Sequence, residues 1–209
     1  PTSPYGIDQV FEADAWTGHY GIGTRYYSWQ DTSREEPHTE DTSDFREVQV
    51  RLFYPTDDDQ FASRLPVLPA EFWQRVGSDS LITGKKLRPS NFESATWPVG
   101  VDVNLSDAEK TYPLLIFSNG YGFTPEMHVN ICAELASRGY IVASVNHPYG
   151  SGVSRLLNGQ KVYVKSLPED NLGADLMLWS GDQLFALRSL LELSMTSNSI
   201  LFGRLDARI

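Results

Sequence analysis

The 209-residue sequence predicts an α/β fold, a mostly parallel sheet joined by crossover helices. Three observations predict it. Residues 114–117 are an unbroken apolar run and residues 140–145 read as a second apolar strand, the pattern of strands buried on both faces. A helical pattern with its own start and stop signals lies between them, so the three together make a strand–loop–helix–strand unit. A longer amphipathic pattern begins at Leu172, and residues 207–209 read as the opening of a further strand.

In chain order, residues 1–23 are rich in Gly, Pro and aromatics without a period and read as an arm packed on something larger. Residues 24–30 (Thr-Arg-Tyr-Tyr-Ser-Trp-Gln) read as an aromatic strand, and residues 31–44 as a polar, acidic turn region in solvent. Residues 47–54 alternate, with Val48, Val50, Leu52 and Tyr54 on one face and Glu47, Gln49, Arg51 and Phe53 on the other. Pro55 is expected to end that strand, and Thr56-Asp57-Asp58-Asp59 to carry the turn. These two strands are expected to pair antiparallel at a sheet edge. Residues 55–111 read as a long insertion-like loop with one short helix at 69–75. A connection of that length covers a site or an edge. Its aromatics Phe72, Trp73, Phe92 and Trp97 either line a pocket or, the commoner fate, pack onto the sheet.

The central unit spans residues 112–152. After the first buried strand comes Ser118-Asn119-Gly120-Tyr121-Gly122-Phe123, a loop punctuated by glycine. Thr124-Pro125-Glu126 then opens a helix with a hydroxyl at the N-cap, proline at the first helical position and an acid in the first turn. Met127, Ile131 and Leu135 fall four apart, with Cys132 and Ala136 widening the apolar stripe, and Gly139 supplies a left-handed stop. Chemistry on such a unit belongs to the loop at the carboxyl end of the strand. Beyond it, residues 153–171 read as a polar loop with one hairpin strand at 161–165. The long helix is expected to run to about Ser194 on Leu172, Leu176, Trp179, Leu184, Leu187 and Leu191, with Gly181 as its weak point.

Composition narrows the function classes. A formal net charge of −10 argues against nucleic acid or an anionic membrane surface as partner. No run approaches the roughly 20 apolar residues of a membrane-spanning helix. The single cysteine, Cys132, leaves neither an intrachain disulfide nor a cysteine zinc cluster, and its place on the apolar flank of a helix reads as a small buried hydrophobe. No His, Asp and Glu cluster has metal-ligand spacing, so no metal and no cofactor is expected. The start, Pro-Thr-Ser-Pro without an initiator Met, fits a mature or trimmed chain, and a secreted or periplasmic setting is the expectation. His19 and His38 read as surface groups and His128 as structural. His147, just past the second buried strand, either lines the pocket or steadies its loop.

Two stretches carry a resemblance. Leu115-Ile116-Phe117-Ser118-Asn119-Gly120-Tyr121-Gly122 and residues 131–143, Ile-Cys-Ala-Glu-Leu-Ala-Ser-Arg-Gly-Tyr-Ile-Val-Ala, resemble the α/β-hydrolase superfamily. The likeness is to the platelet-activating-factor acetylhydrolase and dienelactone-hydrolase-like esterases, and it covers their amino-terminal half. It implies an α/β-hydrolase fold, incomplete in this chain, and a serine esterase or lipase-like activity on a small-molecule or lipid ester, such as a short-chain acyl ester or an oxidised phospholipid. In that family the loop after the third strand reads His-Gly-x-Gly and a backbone N–H in it helps to form the oxyanion hole. Tyr121 matches the donor position, and glycines beside it let a backbone N–H approach a ligand unobstructed. Asn119 stands where the family has histidine and is expected to hold the turn. By the same resemblance Asn119, Gly120, Gly122, Phe123 and His147 are candidate substrate-binding residues. The family's Gly-x-Ser-x-Gly elbow is absent, since Gly150-Ser151-Gly152 has the wrong spacing. Nucleophile, acid and histidine are therefore expected beyond residue 209, on a continuation or a complementary carboxyl-terminal polypeptide. Two other readings stand beside this one. A non-catalytic α/β-hydrolase-like binding module is one. A nucleotide-binding α/β domain is the other, though Gly120-Tyr121-Gly122 lacks both a third glycine and a P-loop lysine.

Overall fold

Strand β1 (Gly21–Glu35) and strand β2 (Phe45–Thr56) form a long antiparallel pair, in register from Gly21 opposite Thr56 to Asp31 opposite Arg46. The computed structural model describes residues 16–58, 60–67, 95–165 and 172–206. Both strands outrun their expected lengths, and the acidic stretch thought to lie in solvent is partly strand. Asp31 and Glu36 are buried there, because each carboxylate meets an arginine: Arg34 for Asp31 and Arg46 for Glu36. The expected face of Val48, Val50, Leu52 and Tyr54 enters one core cluster. Its opposite face is covered as well, with Phe53 in a second cluster and Gln49 fully buried.

The pair is not at the sheet edge. Strands β3 (Arg64–Pro66) and β4 (Thr96–Val101) come from the segment expected to be loop apart from one short helix, and β4 lies parallel to β1. Pro98 and Gly100 interrupt any alternation in β4, which is why it reads as loop. Its Trp97 packs in the second cluster, 6.2 Å from Trp16 ring to ring, rather than lining a pocket. Phe72, Trp73, Phe92 and the short helix at 69–75 lie outside the described residues.

Strand β5 (Tyr112–Ser118) and strand β6 (Ile141–Asn146) are the two apolar runs, paired in parallel from Leu114 opposite Ile141 to Ser118 opposite Val145; β6 is buried throughout as expected, whereas Leu114 to Ser118 of β5 are only half-buried. The sheet order is β3-β4-β1-β2-β6-β5-β9, with β9 (Leu205–Asp206) parallel to β5. The strand expected at 207–209 therefore opens at Leu205; residues 207–209 themselves lie outside the described residues. The sheet is mixed, parallel at β6-β5-β9 and antiparallel where β2 meets its neighbours. Strands β7 (Val153–Arg155) and β8 (Lys161–Tyr163) make a separate hairpin, matching the hairpin strand expected there.

Two helices cover opposite faces. After a 3₁₀ turn at Pro125–His128 comes α1 (Val129–Ser137). Thr124 makes no side-chain cap, and the buried stripe is Val129, Cys132, Ala133 and Ala136. Ile131, expected on that stripe, is 52% exposed, because the 3₁₀ turn shifts the phase of the helix relative to a continuous one starting at Thr124. Gly139 closes the helix at φ +93°, as its position predicts. Helix α2 (Leu172–Ser194) packs Ala186 and Leu190 on the other face of the sheet. Its buried line is Asp182, Ala186, Ser189 and Leu190, whereas Leu176 and Leu184 of the expected stripe are exposed. Gly181 does not break the helix; a Cβ there would lie 2.6 Å from the Arg34 guanidinium, which needs that space to reach Asp182.

Candidate active site

The parallel pairing of β5 and β6 delivers two loops side by side at their carboxyl ends, residues 119–123 and 147–152. The loops are tied together by Gly122 N–H donating to the Gly150 carbonyl at 2.8 Å and Gly152 N–H to the Phe123 carbonyl at 3.2 Å. Within the first loop, Phe123 N–H donates to the Gly120 carbonyl at 3.0 Å, and Gly122 takes φ +76°, which only glycine adopts without strain.

Asn119 is buried beneath the loop. Its Nδ2 donates to the Val145 carbonyl at 2.9 Å, and its Oδ1 accepts from Ser144 Oγ at 3.0 Å. It holds the turn against β6 and does not face the surface. Gly120, Tyr121 and Phe123 are the loop's exposed residues, the two aromatics at 37% and 45%. The Tyr121 ring stacks on Trp179 of α2, centroids 6.3 Å apart, and its hydroxyl donates to the Lys165 carbonyl. Gly150 has a steric reason to be glycine, since a Cβ would stand 2.5 Å from the Trp179 ring.

His147 lies under this surface, only 1% exposed. Its Nε2 is 2.9 Å from Ser118 Oγ, its Nδ1 is 2.9 Å from Asp182 Oδ2, and its ring stacks with Trp179 at 4.9 Å. Its backbone N–H donates to Ser151 Oγ at 2.9 Å, so Ser151 caps the second loop. Ser118, His147 and Asp182 thus have the connectivity of a serine–histidine–acid relay. Sequence reasoning found His147 and its loop but missed Ser118 and Asp182 as its partners.

The acid is embedded in buried charge. Arg46 contacts Asp182 twice, Nη2 to Oδ2 at 2.7 Å and Nε to Oδ1 at 3.1 Å, and also reaches Glu36 and the Pro148 carbonyl. Arg34 Nη1 lies 3.0 Å from Asp182 Oδ1. Burial pushes the Asp182 carboxyl up, but hydrogen bonds from His147 and Arg46 outweigh it and hold the group below the usual carboxylate range. Burial, aided by the Arg46 and Arg34 charges and opposed by Asp182, holds His147 below the ordinary imidazole value. Arg46 and the carboxylate are thus ionised, and the imidazole is neutral.

His128 stands behind the loop as a structural ring, 5.2 Å from Phe117 and 5.6 Å from Phe123. His38 is not a plain surface group: it is half-buried, 3.4 Å from Asp175 and packed on Tyr149. Cys132 is fully buried, and burial pushes its thiol up to about 12, as a small hydrophobe requires. Among the described residues no group of three or more His, Cys, Asp or Glu is placed to hold a metal.

A solved structure with this architecture is a ferulic acid esterase from Streptomyces cinnamoneus, which superposes with TM-score 0.68 over 93% of this chain and 52% of that one. At 22% identity that likeness carries the fold alone, an α/β-hydrolase fold of which the chain spans about half the length of the structure it matches. Among curated proteins, platelet-activating factor acetylhydrolase of Bos taurus is 36% identical over 109 residues, which is 50% of this chain and 24% of that protein. The enzyme of the same name from Cavia porcellus is 37% identical over 102 residues, 47% of this chain and 23% of its own length. The matched region thus spans about a quarter of those relatives. A profile of the family described as platelet-activating factor acetylhydrolase, isoform II, matches residues 6–166, more than three quarters of the sequence and all of the strand–loop–helix–strand unit that builds the site. The chain belongs to that family.

Proposed function

We propose that the protein is a carboxylic ester hydrolase acting through an acyl-enzyme, and that this chain contributes the oxyanion loop. The observation that carries the reading is the placement of Asn119–Phe123: a glycine-bearing loop at the carboxyl end of β5, pinned from below by Asn119 and from the side by Gly150. Family membership supplies the chemistry. A serine attacks the ester carbonyl, the oxygen takes on negative charge, and the Tyr121 N–H donates to it. Such a donor contributes about 2.7–4 kcal/mol to the transition state. Collapse expels the alcohol, and water then releases the acid from the acyl-enzyme. The amides of Gly122 and Phe123 serve the loop itself, bonded to Gly150 and Gly120. The named relatives are acetylhydrolases, so acetyl and other short acyl esters, including lipid esters, are the substrate class we assign.

The nucleophile, its acid and its histidine belong, in this reading, to the remainder of the same domain. Three features support that. The chain covers 52% of the ferulic acid esterase it superposes on, and β9, last in the sheet order, offers an outer edge for another strand. Leu176, Met177 and Leu184 give α2 an exposed apolar face that such a remainder would cover. A native mass spectrum of the active protein showing a lone, monomeric 23.5 kDa species would overturn this part.

The test of the function is labelling of an active preparation by a fluorophosphonate, followed by peptide mapping. Label on a serine outside residues 1–209, with loss of p-nitrophenyl acetate hydrolysis, is the expected result. No label in a preparation that hydrolyses the ester would contradict a serine mechanism, and no hydrolysis would favour the binding-module reading.

A further inference from the structure

We propose that Ser118 and His147 are positioning residues for the oxyanion loop: the imidazole, braced by Asp182, grips the hydroxyl of the last residue of β5, from which the loop departs. The proposal rests on the esterase reading above. It goes beyond it by giving a task to a buried relay that the reaction does not otherwise use.

The proton assignment follows from the partners. Asp182 faces Arg46 from β2, Arg34 from β1 and His147, and it is held ionised, so it only accepts. Nδ1 of His147 must then carry a proton and donate it to Oδ2 at 2.9 Å. In a neutral ring Nε2 is left as an acceptor, and the Ser118 hydroxyl donates to it at 2.9 Å. The direction of the Ser118 side chain is thereby fixed by a chain of buried contacts that starts in β2 and α2. Ser118 is the final residue of β5, and Asn119 to Phe123 follow directly. Trp179 adds a second grip, stacking with the His147 ring at 4.9 Å and with the Tyr121 ring at 6.3 Å. The residue whose N–H is to meet the oxyanion is thus referenced to His147 both through the backbone and through its own ring.

The same geometry argues against Ser118 as the nucleophile. The histidine of a catalytic relay must hand its proton to the leaving group, so the substrate must reach it. His147 is 1% exposed, has both ring nitrogens engaged and lies against Trp179. Asp182 is also bound to two guanidinium groups, which leaves it less able to stabilise an imidazolium than the acid of a working triad. Ser118 sits within a strand, where a nucleophilic serine of this fold sits on a sharp turn.

Two measurements test this. In the active protein, Ser118→Ala is expected to lower kcat for p-nitrophenyl acetate by about 10- to 100-fold, the cost of a misplaced catalytic group, with KM changed by less than about twofold. Ser118→Thr, which keeps the hydroxyl, is expected to recover most of that loss. Separately, ¹⁵N spectra of the wild-type histidine rings are expected to show His147 neutral with the proton on Nδ1. Wild-type kcat in Ser118→Ala, no recovery with Thr, a proton on Nε2, or fluorophosphonate attached to Ser118 would each overturn the proposal. The tautomer is read on the wild-type protein, so it decides the matter even if Ser118→Ala fails to fold. Failure of the esterase reading is a different outcome: wild-type protein that neither hydrolyses the ester nor takes the label.

Discussion

Asp182 is the residue on which most of the buried polar structure depends. It sits on the core-facing line of α2 with Ala186, Ser189 and Leu190, and it neutralises Arg46, which is itself fully buried. Without its charge Arg46 keeps only Glu36 and Arg34 only Asp31, so each guanidinium loses one charge-assisted partner inside the protein. Asp182→Asn is therefore expected to destabilise by about 1.5–3 kcal/mol in chemical unfolding. A loss under 1 kcal/mol would mean that the Arg46 site relaxes to admit water. Cys132 makes an opposite prediction: with its thiol pushed up by burial, it should resist a thiol-exchange reagent until the fold opens. Some of this was legible in the sequence. Gly122, Tyr121 and His147 announce themselves by local pattern, because turn chemistry and strand ends are short-range properties. The partnership of Arg46 with Asp182 crosses 136 positions, and no local rule connects them. One signal was available: an acid four residues before Ala186, on a helix whose apolar stripe runs through Ala186 and Leu190.

At the scale of elements, strands announce themselves best where they carry an apolar run. β5 and β6 read directly as apolar runs, and their parallel register places both loops at one edge. β4 was hidden by Pro98 and Gly100, and the length of β1 by its polar residues, among which Asp31 is satisfied by Arg34 rather than by water. The helices were found, but their faces were misjudged. In α1 a 3₁₀ turn resets the phase; in α2 the leucines outnumber the positions the sheet can cover, so Leu176 and Leu184 remain outside. The observed face of α1 has a direct test. Ala136 is fully buried against the sheet, so Ala136→Leu should overpack and cost about 1–3 kcal/mol, while Ile131→Ala should cost less than Ala136→Leu does. The reverse order, read by thermal or urea unfolding, would restore the stripe that spacing alone suggests.

For the molecule as a whole, the buried and half-buried imidazoles set the response to acid. Burial holds His147, His38 and His128 below the ordinary value of 6.5. In the unfolded chain each would take up a proton near 6.5. Protons therefore favour the unfolded state, so the stability these groups leave intact is fully present above about pH 6.5 and is lost as pH falls through their folded values. Asp182, held below its ordinary 3.8, adds a further loss at lower pH. The melting temperature is expected to be flat from about pH 8 to 7 and to fall as pH drops below about 6.5. A melting temperature that rises as pH drops would contradict neutral buried imidazoles. In the proposed reading this chain positions the oxyanion loop, and the chemistry is complete only when an acyl group meets that loop. The most direct measurement is a crystal structure of the active protein inhibited by a fluorophosphonate. The oxyanion role of Tyr121 requires a phosphonyl oxygen within about 3 Å of its nitrogen. An adduct whose oxygens lie away from residues 119–123, or one borne by Ser118, would contradict it.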